Sequence, residues 1–112
     1  MKRLTTGDLK AILSQFGAPA ANLTYGGTAQ TYITYQIYDE TGQDFADDQE
    51  ISGSYFVQVN IFSKTNYEEL VNNVYDAMIE NGFTRMFGTE FFENDTKFYH
   101  KVYRFEKTID YN

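Results

Sequence analysis

Between Gly53 and Glu80 the hydrophobic period changes once, from that of a strand to that of a helix, and this switch limits the fold more than any other feature. In Gly53 to Phe62, Tyr55, Val57, Val59 and Ile61 point to one face, and Phe56, Gln58, Asn60 and Phe62 to the other. One core face and one wet face suit an antiparallel sheet. Ser63-Lys64-Thr65 then leads into a helix predicted from about Tyr67 to Glu80. Tyr67, Leu70, Val71, Val74, Ala77 and Met78 make its apolar stripe. Asn66 with Glu69 reads as a variant capping box, and Asn81-Gly82 as the stop.

The flanks extend this frame. Leu9, Ile12, Leu13 and Phe16 share one face of a helix predicted over Thr6 to Phe16, with Thr6 as N-cap. Gly17 and Pro19 end it. Ala18 to Gln30 reads as a loop, and Thr31 to Tyr38 as a strand with Ile33, Tyr35 and Ile37 inward. Beyond the second helix, Phe83 to Glu93 and Thr96 to Lys107 form a hairpin around Asn94-Asp95. Phe83, Phe87 and Phe91 fall on one side of it, and Gly88 marks a bulge.

The expected fold is α+β: an antiparallel or mixed four-stranded sheet with two helices packed on one face, in the order α-β-β-α-β-β. The 112 residues form a single domain. Its core spans about 5–107, with a flexible acidic loop over 39–50 and a frayed end over 108–112. Ten Tyr and ten Phe supply a large apolar area for few residues, and Tyr also suits interfaces that are half wet.

Charge narrows the functions. A formal net charge of −7 argues against a general nucleic-acid binder and against anionic membranes. With no cysteine there is no disulfide, thiolate nucleophile or zinc-thiolate site. Neither a signal peptide nor a run of about 18 apolar residues is expected.

Asp39 to Glu50 holds six acids and no base: Asp39, Glu40, Asp44, Asp47, Asp48 and Glu50. Its spacing does not fit an EF-hand, so it reads as a solvated loop and no metal is expected. His100 is the sole histidine and lies mid-strand, with no cysteine or nucleophile-elbow serine to activate. Glu68 and Glu69 are adjacent on a helix and cannot act as a dyad. Gly26-Gly27 reads as a bend, since no phosphate-loop pattern surrounds it. Lys97, Lys101, Arg104 and Lys107 alternate with aromatics, a pattern that also suits single strands, but cross-strand pairs with Glu90, Glu93 and Asp95 explain them at less cost. No catalytic residue and no cofactor is expected.

The order of motifs is itself informative. Tyr32-Ile33-Thr34-Tyr35 leads through Ala46-Asp47-Asp48 into Tyr55-Phe56-Val57-Gln58-Val59-Asn60-Ile61-Phe62-Ser63-Lys64. After the helix come Asn81-Gly82-Phe83-Thr84-Arg85 and Phe92-Glu93-Asn94-Asp95-Thr96-Lys97-Phe98-Tyr99-His100-Lys101-Val102-Tyr103-Arg104-Phe105. Over residues 31 to 107 this resembles the tail-completion, head–tail joining or tail terminator-like proteins of siphophages and prophages of Gram-positive bacteria.

The resemblance implies a non-enzymatic virion protein, assembled in the bacterial host cytoplasm and located at the head–tail interface. It implies self-association into a ring, commonly a hexamer, that contacts the tail tube protein and a head completion or connector protein. DNA passes through the lumen without specific binding, and no membrane is involved. The interface is expected at Asp39, Glu40, Asp44, Phe45, Asp47, Asp48 and Glu50. A second reading of the acidic composition is a DNA mimic or an inhibitor of a host enzyme. A third is a metal-assisted hydrolase using Asp or Glu.

Overall fold

A computed structural model describes residues 3–42, 45–46 and 49–111. Chain order is α1 (Thr6–Leu13), β1 (Ala20–Asn22), β2 (Thr31–Gly42), β3 (Phe45–Ala46), β4 (Gln49–Glu50), β5 (Ser52–Ser63), α2 (Glu68–Glu80), β6 (Thr84–Glu93) and β7 (Phe98–Asp110).

The cap of helix α1 lies one residue earlier than expected, at Thr5. The Thr5 hydroxyl accepts from the Asp8 N–H at 3.2 Å, and the Asp8 carboxylate accepts from the Thr5 N–H at 2.9 Å. These reciprocal bonds satisfy two donors that a helix start leaves open. The helix ends at Leu13, short of the expected Phe16. Ser14 sends both its N–H and its hydroxyl to the Lys10 carbonyl, a local alternative to further turns.

Strand β5 is central, and its alternation is as expected. Tyr55, Val57, Val59 and Ile61 are all buried, while Phe56, Gln58, Asn60 and Phe62 are half-buried on the other face. It pairs antiparallel with β2 on one side and with β7 on the other.

Helix α2 buries Val71, Val74, Ala77 and Met78. The expected capping box at Asn66 and Glu69 does not form. Tyr67 occupies the cap position, and Asn66 Oδ1 accepts from the Glu68 N–H at 3.0 Å. The Tyr67 ring is buried and its hydroxyl donates to Glu90, which ties this residue to β6 and delays the helix by one residue. The far end closes as expected. Gly82 takes φ 89, Phe83 N–H reaches the Met78 carbonyl at 3.1 Å, and Gly82 N–H reaches that of Ile79 at 3.0 Å.

The main sheet has five strands, ordered β1-β2-β5-β7-β6, where four were expected. The extra strand β1 lies in the segment read as a loop and pairs parallel to β2, Ala20 opposite Ile33. Three residues carry too little alternation to be seen in sequence. Buried residues of α1 and α2 join those of β2, β5 and β7 in one cluster, so both helices cover the same face.

Three further expectations change. The acidic segment 39–50 is not one loop: Asp39 to Gly42 extend β2 past a bulge between Ile37 and Asp39, and β3 pairs with β4. Acidic side chains forbid dry burial, not backbone pairing, and Asp39 and Glu40 are paired yet exposed. The C-terminus does not fray over 108–111. Ser52 pairs with Asp110, Tyr111 N–H reaches the Ile51 carbonyl at 2.8 Å, and the Tyr111 ring is buried. Finally, the bulge in β6 falls between Arg85 and Phe87, not at Gly88. Phe83 therefore enters the core, while Phe87 and Phe91 stay exposed.

Candidate functional site

The helices leave one whole face of the sheet uncovered. On it, register places Tyr32 opposite Phe62, Phe62 opposite His100, and His100 opposite Phe91. Four rings from β2, β5, β7 and β6 thus form one row across the strands. Their centroids are 4.7, 4.0 and 4.6 Å apart in that order. Tyr25 extends the row beyond Tyr32 at 4.5 Å, and Phe98 meets Tyr32 edge-on. Such contacts add to the burial they accompany.

A polar network runs beside the row. His100 Nε2 lies 2.9 Å from Asn60 Oδ1, and Nδ1 lies 3.2 Å from Glu93 Oε2. Asn60 Nδ2 donates to Thr34 Oγ1 at 3.2 Å. Arg104 Nε donates to Gln58 Oε1 at 3.0 Å, and its guanidinium spans Tyr38 and Phe87. Burial pushes the His100 pKa below the ordinary imidazole value, and the Glu93 carboxylate offsets part of that drop. Burial disfavours the charged ring, and its two nitrogens face Glu93 and Asn60, which suits a structural part better than a free base.

Strand β6 borders this face and ends the sheet. Every residue from Thr84 to Phe92 is exposed. Met86 is 53% exposed, Phe87 48%, Phe91 47% and Phe92 43%, with Tyr99 beside them at 44%. Large apolar groups on both faces of an exposed edge strand form an uncovered apolar surface. Sequence reasoning did not single out this strand. The signal was present in the doublets Met86-Phe87 and Phe91-Phe92, which break the alternation of a half-buried strand.

The expected interface lies elsewhere. Asp39 and Glu40 sit opposite Phe56 and Tyr55, about six strand positions, or roughly 20 Å, from the row through Phe62. Glu50 is half-buried and lies 3.5 Å from Arg3 Nη1. Phe45 pairs through its backbone with Glu50. Asp44, Asp47 and Asp48 lie outside the described residues. The structure therefore brings Asp39, Glu40 and Glu50 to one end of the sheet, with Phe91, Phe92 and Tyr99 towards the other and Phe87 between them.

The basic residues do not make a single strip. Lys101 and Lys107 share the helix-bearing face with Tyr103 and Phe105, whereas Arg104 lies on the open face. Lys107 Nζ caps α2 by donating to the Asn81 carbonyl at 2.6 Å. Lys101 lies opposite Glu90 in register, but its Nζ sits over the Tyr103 ring while Glu90 accepts from Tyr67, and Arg104 turns to Gln58.

Chemistry is sparse among the described residues. They contain no group of three or more His, Cys, Asp or Glu placed to hold a metal. A cleft of about 580 Å³ beside the start of α2 is lined by Tyr67, Glu90, Tyr99, Lys101 and Tyr103, among others. Within it Tyr67 donates to Glu90, and burial drives the phenol pKa far above its ordinary value. That hydroxyl keeps its proton at neutral pH, and the carboxylate is already engaged. No helix of the described residues is long and apolar enough to cross a membrane.

In comparisons with known proteins, no protein-family model and no curated protein matches the chain.

Proposed function

We propose that this chain is a non-enzymatic assembly subunit of a long-tailed bacteriophage. It joins a ring, commonly a hexamer, at the head–tail interface, completes or terminates the tail and joins it to the head. The tail tube protein and a head connector are its neighbours. The observation that carries the reading is β6, a ten-residue edge strand with apolar groups on both faces, next to a helix-free aromatic sheet face. Contact between protein subunits covers such surfaces by strand pairing and ring packing, whereas a catalytic reading needs a convergent reactive group. The order of motifs that resembles tail-completion proteins points the same way.

The acidic end has a separate part in this reading. Its carboxylates repel DNA, so at the lumen they let the genome pass without adhesion. The direct test is electron microscopy of virions with the protein labelled. Label at the head–tail junction supports the proposal, and a protein missing from the particle favours the DNA mimic or host-enzyme inhibitor. Deleting residues 43–49 tests the acidic end: the chain should stay folded while heads and tails fail to join. Normal joining by that deletion variant removes the acidic end from the mechanism.

A further inference from the structure

Strand β6 is complementary to itself. Arg85 lies opposite Phe105 and Glu90 opposite Lys101, so both point to the helix-bearing face. Phe87, Thr89 and Phe91 point to the open face, opposite Arg104, Val102 and His100. Met86 is the extra residue of the bulge. Counted along the ladder, Arg85 and Glu90 are therefore equally far from Gly88, on opposite sides. No proline or lysine protects this edge.

We propose that β6 pairs antiparallel with β6 of a second copy of this chain, across a twofold axis at Gly88. Arg85 then meets the partner's Glu90, and Glu90 meets the partner's Arg85. Two ion pairs form on one face. On the other, Phe87 lies opposite the partner's Thr89 and diagonal to the partner's Phe91, within reach of ring contact. Charge selects this register over its neighbour. An axis at Thr89 would set Glu90 diagonal to the partner's Glu90 and leave Arg85 facing the partner's Phe92. A twofold contact uses the same patch on both chains and closes on itself, so the product is a pair. The inference stands on β6 alone and does not depend on the virion reading. Within that reading, the pair is the form the free chain holds before a ring neighbour takes the edge.

Sedimentation of the purified full chain tests it. The unmodified protein should run as a pair at concentrations on the order of 10 µM. Arg85→Glu places like charges face to face twice and should weaken pairing roughly 100-fold. Glu90→Arg should do the same, and the double variant Arg85→Glu/Glu90→Arg should pair again. A single chain in the unmodified protein, an Arg85→Glu variant that pairs normally, or a double variant that stays apart would each overturn the proposal. Circular dichroism checks folding of each variant, because Glu90 also accepts from Tyr67. Should a reversal unfold the chain, cysteine cross-linking decides, since the sequence has no cysteine of its own. Phe87→Cys/Thr89→Cys should give a covalent pair on oxidation and Thr89→Cys alone should not; the opposite pattern overturns the register. These readouts concern the free protein, so they can fail while label at the head–tail junction still succeeds, and the reverse.

Discussion

The hydroxyls of Tyr55 and Tyr111 hydrogen-bond at 2.6 Å inside the molecule, joining the central strand to the end of the chain. Gly53 makes this possible. A Cβ there would collide with the Tyr111 hydroxyl and lie 3.1 Å from its Cζ. Tyr111→Phe should lower unfolding free energy by about 1 kcal/mol, the usual worth of one such bond. Tyr111→Ala should cost about 3 kcal/mol, as for loss of a buried ring. Gly53→Ala should act by expelling the same ring, so Gly53→Ala/Tyr111→Ala should fall short of the sum by ~1 kcal/mol or more. Urea unfolding of the four variants gives each number, and full additivity would refute the coupling.

His100 sets a pH response. Its folded pKa is lowered by burial, against the partial opposition of Glu93. The unfolded chain, with an ordinary imidazole near 6.5, then binds the proton more readily than the folded one. Stability from this group is present above about pH 6.5 and is lost as pH falls through the folded value. The single histidine gives one set of ring signals, so an NMR titration reads it without ambiguity. The midpoint should lie below 6.5 and fall further in Glu93→Gln, which removes the offsetting charge. A midpoint that rises in Glu93→Gln contradicts the assigned role of that carboxylate.

Phe87 and Phe91 should matter for contact, not for folding. Both are about half exposed on the outer strand. Phe87→Ser/Phe91→Ser should change unfolding free energy by only about 1 kcal/mol, well below the cost of a buried ring. The same variant should lose head–tail joining in an infection complementation assay. A large fall in thermal stability would mean that the rings serve the fold instead.

Gly82 is a conformational requirement. Its φ of 89 lies where a side chain is strained, and it ends α2 by closing the bonds to Ile79 and Met78. Gly82→Ala should destabilise by about 1 kcal/mol. Gly26→Ala, with nothing within 4 Å of an added Cβ and no positive φ, should have a much smaller effect. Equal shifts in the two denaturation midpoints would rule out this account of the helix end.

Much of the inner face was readable in advance. Alternation in Tyr55 to Ile61 and the stripe from Val71 to Met78 are local patterns, and a local period predicts which side turns inward. Both appear in the core as read. The hydration of Asp39 and Glu40 was equally legible, because charge dictates exposure wherever the chain runs.

Partners remote in sequence decided the rest. Ala20 to Asn22 becomes a strand only because β2 lies alongside, and Tyr111 is buried only because Gly53 leaves room for it. The row of Tyr32, Phe62, His100 and Phe91 exists only through the register of four strands, and a slip of one residue in any strand would turn its ring to the other face. The amino-acid sequence by itself determined the inward side of each long element, since that follows from neighbours a few residues apart. Tertiary structure alone decided strand order, register and which face the two helices leave open, since those arise from contacts that no local period encodes.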